Sequence, residues 1–166
     1  MNQPIDKLQL LTEMLPKAML QALTAEALEA VPLIVRHGDK VAIYDFPFKV
    51  GRESRVMKVN GRLESIERPK KDNSSPTNDL YLIDRGHRLN ISREHFEILC
   101  EESGYSLVDR GSACGTRVAG KSTGGGDRGG IVPLRDGDII AVGIADTPYT
   151  YRFITFDEFS LVRNDG

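Results

Sequence analysis

Three groups of residues in this 166-residue chain have types and spacings that chemistry uses. The first is Gly115 to Ser122, GTRVAGKS, which satisfies G-x-x-x-x-G-K-[ST], the loop whose backbone N–H groups and lysine cradle nucleotide phosphates. That chemistry needs a buried parallel strand leading in and a helix leaving, so that the helix N-terminus faces the phosphates. Here TGGGDRGGIVP follows, which cannot form a helix, and the Thr-Arg-Val-Ala portion itself reads as a strand. Nucleotide hydrolysis is set aside on that context. The second group is Cys114 as a nucleophile, with His87 or His95 as base and Asp109 as orienting group. Nothing places Cys114 at a helix N-terminus, where its thiolate would be favoured, and a small residue in a turn accounts for it equally well.

The third group is a set of four ordered blocks. Gly51-Arg52 closes the run Phe48-Lys49-Val50, and Ser92-Arg93-Glu94-His95 leads into Phe96 to Cys100. Asp109-Arg110-Gly111-Ser112-Ala113-Cys114-Gly115-Thr116 follows Leu107-Val108, and Leu134 to Gly143, LRDGDIIAVG, opens the last pair of strands. A guanidinium presents a planar fork of donors that pairs bidentately with a phosphate, and a hydroxyl adds a short charge-assisted bond. Two cysteines, Cys100 and Cys114, with no C-x-x-C and no His at ligand spacing, suggest neither a disulfide framework nor a metal site. No cofactor is expected.

The formal net charge of −2 hides an uneven distribution. Residues 1 to 48 carry 4 basic and 6 acidic groups, 49 to 93 carry 11 and 6, and 94 to 166 carry 7 and 12. A duplex-binding domain shows a stronger basic excess with a recognition helix or an aromatic platform, so nucleic acid is not expected as a partner. A small anionic target fits the basic middle third better. No apolar run approaches the roughly 18 residues of a membrane span, and the N-terminal MNQPIDKLQL lacks a basic segment followed by an apolar one. The expectation is a soluble, cytoplasmic protein. Asn73-Ser74-Ser75 and Asn90-Ile91-Ser92 match the glycosylation pattern without physical consequence in that setting.

The elements that must position these residues are legible from periodicity. From Ile5 to Ala30, apolar residues recur at three- and four-residue steps, which predicts two short helices broken near Leu15 and Pro16, or one kinked helix. After Pro32, short runs rich in Val, Ile, Tyr and Phe alternate with Gly, Asp and Pro turns, which predicts an all-β sandwich of about 11 short strands. The expected organisation is a helical segment at 1–30, a sandwich domain at 31–157 and a tail at 158–166. Asn60 to Asn78 and Ser122 to Gly130 read as long mobile loops. Arg62, Arg68, Lys70 and Lys71 in the first, with Arg85 and Arg88 beyond it, would extend a basic surface, and Ser74, Ser75 and Thr77 offer phosphorylatable hydroxyls.

The four blocks together resemble the forkhead-associated (FHA) domain, a phosphothreonine-binding β-sandwich, over roughly Pro32 to Phe156. The resemblance implies that Arg52 and Ser92 hold the phosphate, that Arg93 makes a further phosphate or peptide contact, and that Cys114 sits where the peptide backbone is anchored. It implies loop-supporting roles for Gly51, His95, Asp109, Gly115 and Thr116. The partner implied is a threonine-phosphorylated protein or peptide, the role that of a non-catalytic signalling adaptor. Two positions depart from the pattern: Cys114 and Ala119 stand where the family usually has Asn. A thiol cannot replace a two-sided amide. The alternative expectation is therefore a phospho-independent scaffold that uses residues 1–30 or a sandwich face to bind a protein partner or itself, a homodimer through residues 1–30 among them.

Overall fold

A computed structural model describes residues 4–65 and 76–164. The chain opens with α1 (Lys7–Met14), capped by Asp6, whose Oδ1 accepts from the N–H groups of Leu8 and Gln9. After Pro16 comes β1 (Ala18–Ala22), and then α2 (Ala25–Ala30), capped by the Thr24 hydroxyl. The two helices match the helical expectation for this segment, and the strand between them does not. In AMLQA, Ala18 and Leu20 are buried, at 0% and 2% exposure, while Met19 and Gln21 alternate with them. Three apolar residues at two-residue steps satisfy a strand as well as a helix. The deciding factor is pairing on both sides: β1 lies between two partner strands, and such pairing overrides the weak local preference. The boundary expected at residue 30 thus falls inside the fold.

A 3₁₀ turn (Leu33–Val35) leads into β2 (Arg36–His37) and β3 (Lys40–Ile43). Then follow β4 (Phe48–Arg52), β5 (Val56–Val59), β6 (Arg62–Ser65) and β7 (Leu80–Leu82). The second half holds β8 (Phe96–Glu101), β9 (Gly104–Asp109), β10 (Thr116–Val118), β11 (Lys121–Thr123), β12 (Gly130–Leu134), β13 (Ile139–Val142) and β14 (Thr150–Thr155). A seven-stranded sheet runs β11-β10-β13-β14-β1-β3-β2, and a five-stranded sheet runs β12-β9-β8-β4-β7. β4 and β7 are its parallel pair; β4 and β8 pair antiparallel. Leu20, Ile43, Val118, Ile140 and Phe153 from the first sheet join Val50, Leu82, Phe96, Ile98 and Leu107 from the second in one core. The architecture is the expected β-sandwich.

Two loop expectations change. Asn60-Gly61 is the turn of the β5–β6 hairpin, with φ of 49° and 82°, the left-handed pair that a two-residue hairpin turn demands and that Asn-Gly supplies. The Arg68, Lys70, Lys71, Ser74 and Ser75 expectations lie outside the described residues. Ser122 to Gly130 is not a free loop: its first residues belong to β11, and the Gly126 and Asp127 N–H groups donate to the carbonyls of Ala113 (2.9 Å) and Ser112 (3.0 Å). A Cβ on Gly124 would lie 2.1 Å from the Asp109 carboxyl carbon, so glycine there serves close packing.

Candidate functional site

Two loops of the five-stranded sheet are each built on a buried aspartate. Asp84, just beyond β7, accepts the Gly86 N–H (3.0 Å) and Tyr149 hydroxyl (2.7 Å) on Oδ1, and the Asn90 (2.7 Å) and Ile91 (3.0 Å) N–H groups on Oδ2. Burial and the Asp84 carboxylate push the Tyr149 hydroxyl up to about 12, so it donates as a neutral phenol. Asp109, closing β9, accepts the Gly111 (3.1 Å) and Ser112 (2.8 Å) N–H groups on Oδ1 and the Ser112 (2.7 Å) and Thr116 (3.1 Å) hydroxyls on Oδ2. The Ser112 hydroxyl in turn accepts the Gly115 N–H at 2.9 Å. Asp109 and Thr116 are therefore joined within the loop by these bonds. Asp84 was not singled out from the sequence. Its signal is a repeated tripeptide: Asp84-Arg85-Gly86 lies just after β7 and Asp109-Arg110-Gly111 begins at the end of β9, and in both the Asp oxygen takes the glycine N–H two residues on.

His95 joins the two loops. It is fully buried, its Nδ1 accepts the Ser92 N–H (2.9 Å), and its Nε2 lies 2.9 Å from the Gly115 carbonyl. A carbonyl can only accept, so the proton sits on Nε2 and the ring is neutral. Burial holds its pKa below the usual histidine range, against the pull of the Gly115 carbonyl, Asp109 and Asp84. With both ring nitrogens engaged, His95 has no lone pair to offer Cys114 as a base. The phosphate-loop match lacks its helix: residues 115–122 form the β10–β11 hairpin, turning at Ala119-Gly120 with φ of 49° and 82°, with no helix after it among the described residues.

On this frame Arg52 and Ser92 meet. The Arg52 N–H donates to the Ser92 carbonyl at 2.9 Å, and its Nε donates to the Ile91 carbonyl at 2.9 Å. The terminal guanidinium nitrogens have no hydrogen-bond partner among the described residues. The Ser92 hydroxyl oxygen accepts the Ala113 N–H at 3.0 Å, and its proton has no acceptor among them. Gly51 runs beneath the next residue, where a Cβ would lie 2.0 Å from the Arg93 carbonyl oxygen. The Arg93 side chain is exposed beside this pair. Cys114 is half-buried, and its thiol points at the Leu89 carbonyl at 3.6 Å, a weak contact that ties the two loops. Gly115 adopts φ of 78°, which glycine permits. Hydrogen bonds thus bring Arg52, Ser92 and the Ala113-Cys114 turn together, with Arg93 next to Ser92 in the chain. A concavity of about 430 Å³ around Arg117, Asp138 and Ile139 includes none of the four.

Sequence reasoning also passed over the pair that holds Arg93 from behind. Asn78 donates from Nδ2 to the Arg93 carbonyl (2.7 Å) and accepts from Arg110 Nη1 (2.7 Å). Nothing in the sequence flags Asn78, which ends a polar stretch.

The described residues form a two-sheet β-sandwich in which Arg52 and Ser92 are bonded main chain to main chain. The family model described as "FHA domain" matches residues 49–143, over half of the chain, and the chain belongs to that family. No curated protein matches it. Similar solved structures include an FHA domain from Chlamydia trachomatis, 16% identical with a TM-score of 0.47, covering 84% of this chain and 97% of that one. An N-terminal FHA domain from S. cerevisiae, solved in complex with a phosphothreonine peptide, is 20% identical with a TM-score of 0.37, covering 63% of this chain and 93% of that one. A Mycobacterium tuberculosis protein in complex with a low-affinity phosphopeptide is 17% identical with a TM-score of 0.48, covering 97% of this chain and 34% of that one.

Proposed function

We propose that this chain is a non-catalytic adaptor of cytoplasmic signalling that binds a threonine-phosphorylated peptide through Arg52 and Ser92, with Arg93 and Cys114 flanking the phosphate. Membership of the FHA family supports the ligand class. The observation that supports the site assignment is the Arg52–Ser92 main-chain bond, together with terminal guanidinium nitrogens and a Ser92 hydroxyl proton that have no partner among the described residues. An Arg-centred capture of this kind suits a dianionic phosphate. The Asp84 and Asp109 carboxylates are directed into their own loops, where each accepts main-chain N–H groups. The test is a titration of a phosphothreonine peptide library against the wild type and Arg52→Ala. Loss of two charge-assisted bonds at about 1.5 kcal/mol each predicts roughly a hundredfold weaker binding by the variant. Equal binding by both, or by neither, overturns the proposal.

A second reading, a phospho-independent scaffold that self-associates through the N-terminal segment, draws on α1, which buries no residue and exposes Leu10 (48%), Leu11 (55%) and Met14 (65%). Because β1 is an interior strand, the informative truncation stops at Met14 rather than at residue 30. An unchanged oligomeric state and partner set after that truncation counts against the second reading.

A further inference from the structure

Asn78 and Arg110 stand outside the phosphate-facing set, yet they grip its backbone. Asn78 is 4% exposed, and both ends of its amide are used: Nδ2 donates to the Arg93 carbonyl at 2.7 Å and Oδ1 accepts from Arg110 Nη1 at 2.7 Å. The orientation is unambiguous, because the carbonyl can only accept and the guanidinium can only donate. Arg110 is itself fixed at several points. Its Nη2 donates to Glu94 Oε1 (2.7 Å) and the Thr77 carbonyl (3.2 Å), and its own N–H donates to the His95 carbonyl (2.9 Å). With its side chain 15% exposed and its charge facing Glu94, Arg110 is not a free cation for a ligand. Beneath them passes Gly51, where a Cβ would meet the Arg93 carbonyl oxygen at 2.0 Å and Asn78 Nδ2 at 2.6 Å. The β4 backbone, the Asn78 amide and the Arg93 carbonyl are therefore in direct contact, with no slack between them.

We infer that Asn78 and Arg110 are positioning residues: together they clamp the Ser92-Arg93 main chain onto Gly51 and so set the Ser92 hydroxyl against the Arg52 guanidinium. The inference rests on the proposed phosphate-binding role of Arg52 and Ser92. It departs from a charge explanation, in which Arg110 would act by attracting the anion.

Three variants separate these possibilities, measured by calorimetry with one phosphothreonine peptide that the wild type binds. Asn78→Asp keeps the size and still accepts from Arg110, but sets an acceptor against the Arg93 carbonyl. It is expected to bind about tenfold more weakly. Arg110→Lys keeps the charge and loses the fork, with an expected loss of about threefold to tenfold. In both, the amide resonances of Ser92, Arg93 and Ala113 in the free protein should shift, and in the charge-conserving Arg110→Lys the salt dependence of binding should keep the wild-type slope. Arg52→Ala is the control for the underlying reading. If it abolishes binding while Asn78→Asp and Arg110→Lys stay within twofold of the wild type, the clamp is wrong and the phosphate reading stands. If Arg52→Ala binds normally, that reading fails and takes the clamp with it. Should Asn78→Asp not fold, Arg110→Lys decides by the same readouts, and wild-type binding by it overturns the inference.

Discussion

Replacing Asp109 by Asn probes the loop frame at its most loaded point. The substitution preserves size and removes the charge, but an amide has one accepting end where the carboxylate has two. Asp109 receives four hydrogen bonds, two N–H on Oδ1 and two hydroxyls on Oδ2, and is 3% exposed. Whichever way the amide turns, two donors lose their acceptor. Hydrogen bonds to a buried charged group contribute about 1.5–3 kcal/mol each, so the loss is about 3 kcal/mol at the lower end, where the hydroxyls rotate to accept from the new amide. Against a total stability of roughly 5–15 kcal/mol, that is a large fraction. Urea unfolding followed by circular dichroism should show the midpoint falling by about 1–2 M at unchanged slope. Phosphopeptide affinity should fall as well, because the Ala113 N–H that anchors the Ser92 hydroxyl rides on this loop. A midpoint within about 0.3 M of the wild type would refute the view that Asp109 organises the loop.

Other outcomes follow from the same geometry. His95 is neutral and buried with a depressed pKa, so below the unfolded-state value of about 6.5 the unfolded chain binds a proton that the folded one does not. Stability should therefore hold above about pH 6.5 and fall on acidification below it, by up to about 1.4 kcal/mol per pH unit; His95→Gln should flatten that slope, and an unaltered slope contradicts the assignment. Cys114→Asn supplies a two-sided amide where the thiol makes a weak contact to the Leu89 carbonyl, and calorimetry should show phosphopeptide binding tighten by about threefold to tenfold. Ala119 holds φ of 49° in a hairpin turn that suits Asn-Gly, so Ala119→Asn should raise the melting temperature by about 2–4 °C in a thermal scan.

The legible part of this protein was the part written in short-range pattern. Alternating runs such as Phe96 to Cys100 and Tyr151 to Phe153 announce strands, and the ordered Gly-Arg, Ser-x-x-His and Asp-to-Thr blocks point to the loops that carry Arg52, Ser92 and Cys114. What stayed hidden depends on partners distant in the chain. The strand Ala18–Ala22 is specified by Thr155 to Tyr151 on one side and Ile43 to Lys40 on the other, and its local apolar spacing suits a helix too. The glycines at 124–126 look like a slack linker until the Asp109 carboxylate and the Ala113 carbonyl are placed against them. Asn78 is an unremarkable polar residue until a contact 15 positions on, at Arg93, and another at Arg110 give it a purpose.

The position of a bound phosphate is the most direct test of the Arg52–Ser92 site. A crystal structure of the chain with a phosphothreonine peptide should show the phosphate held by the Arg52 terminal nitrogens and the Ser92 hydroxyl, with the histidine ring of His95 still bridging Ser92 and Gly115 behind it. A phosphate seated elsewhere on the sandwich, or a peptide bound with Arg52 and Ser92 untouched, would contradict it.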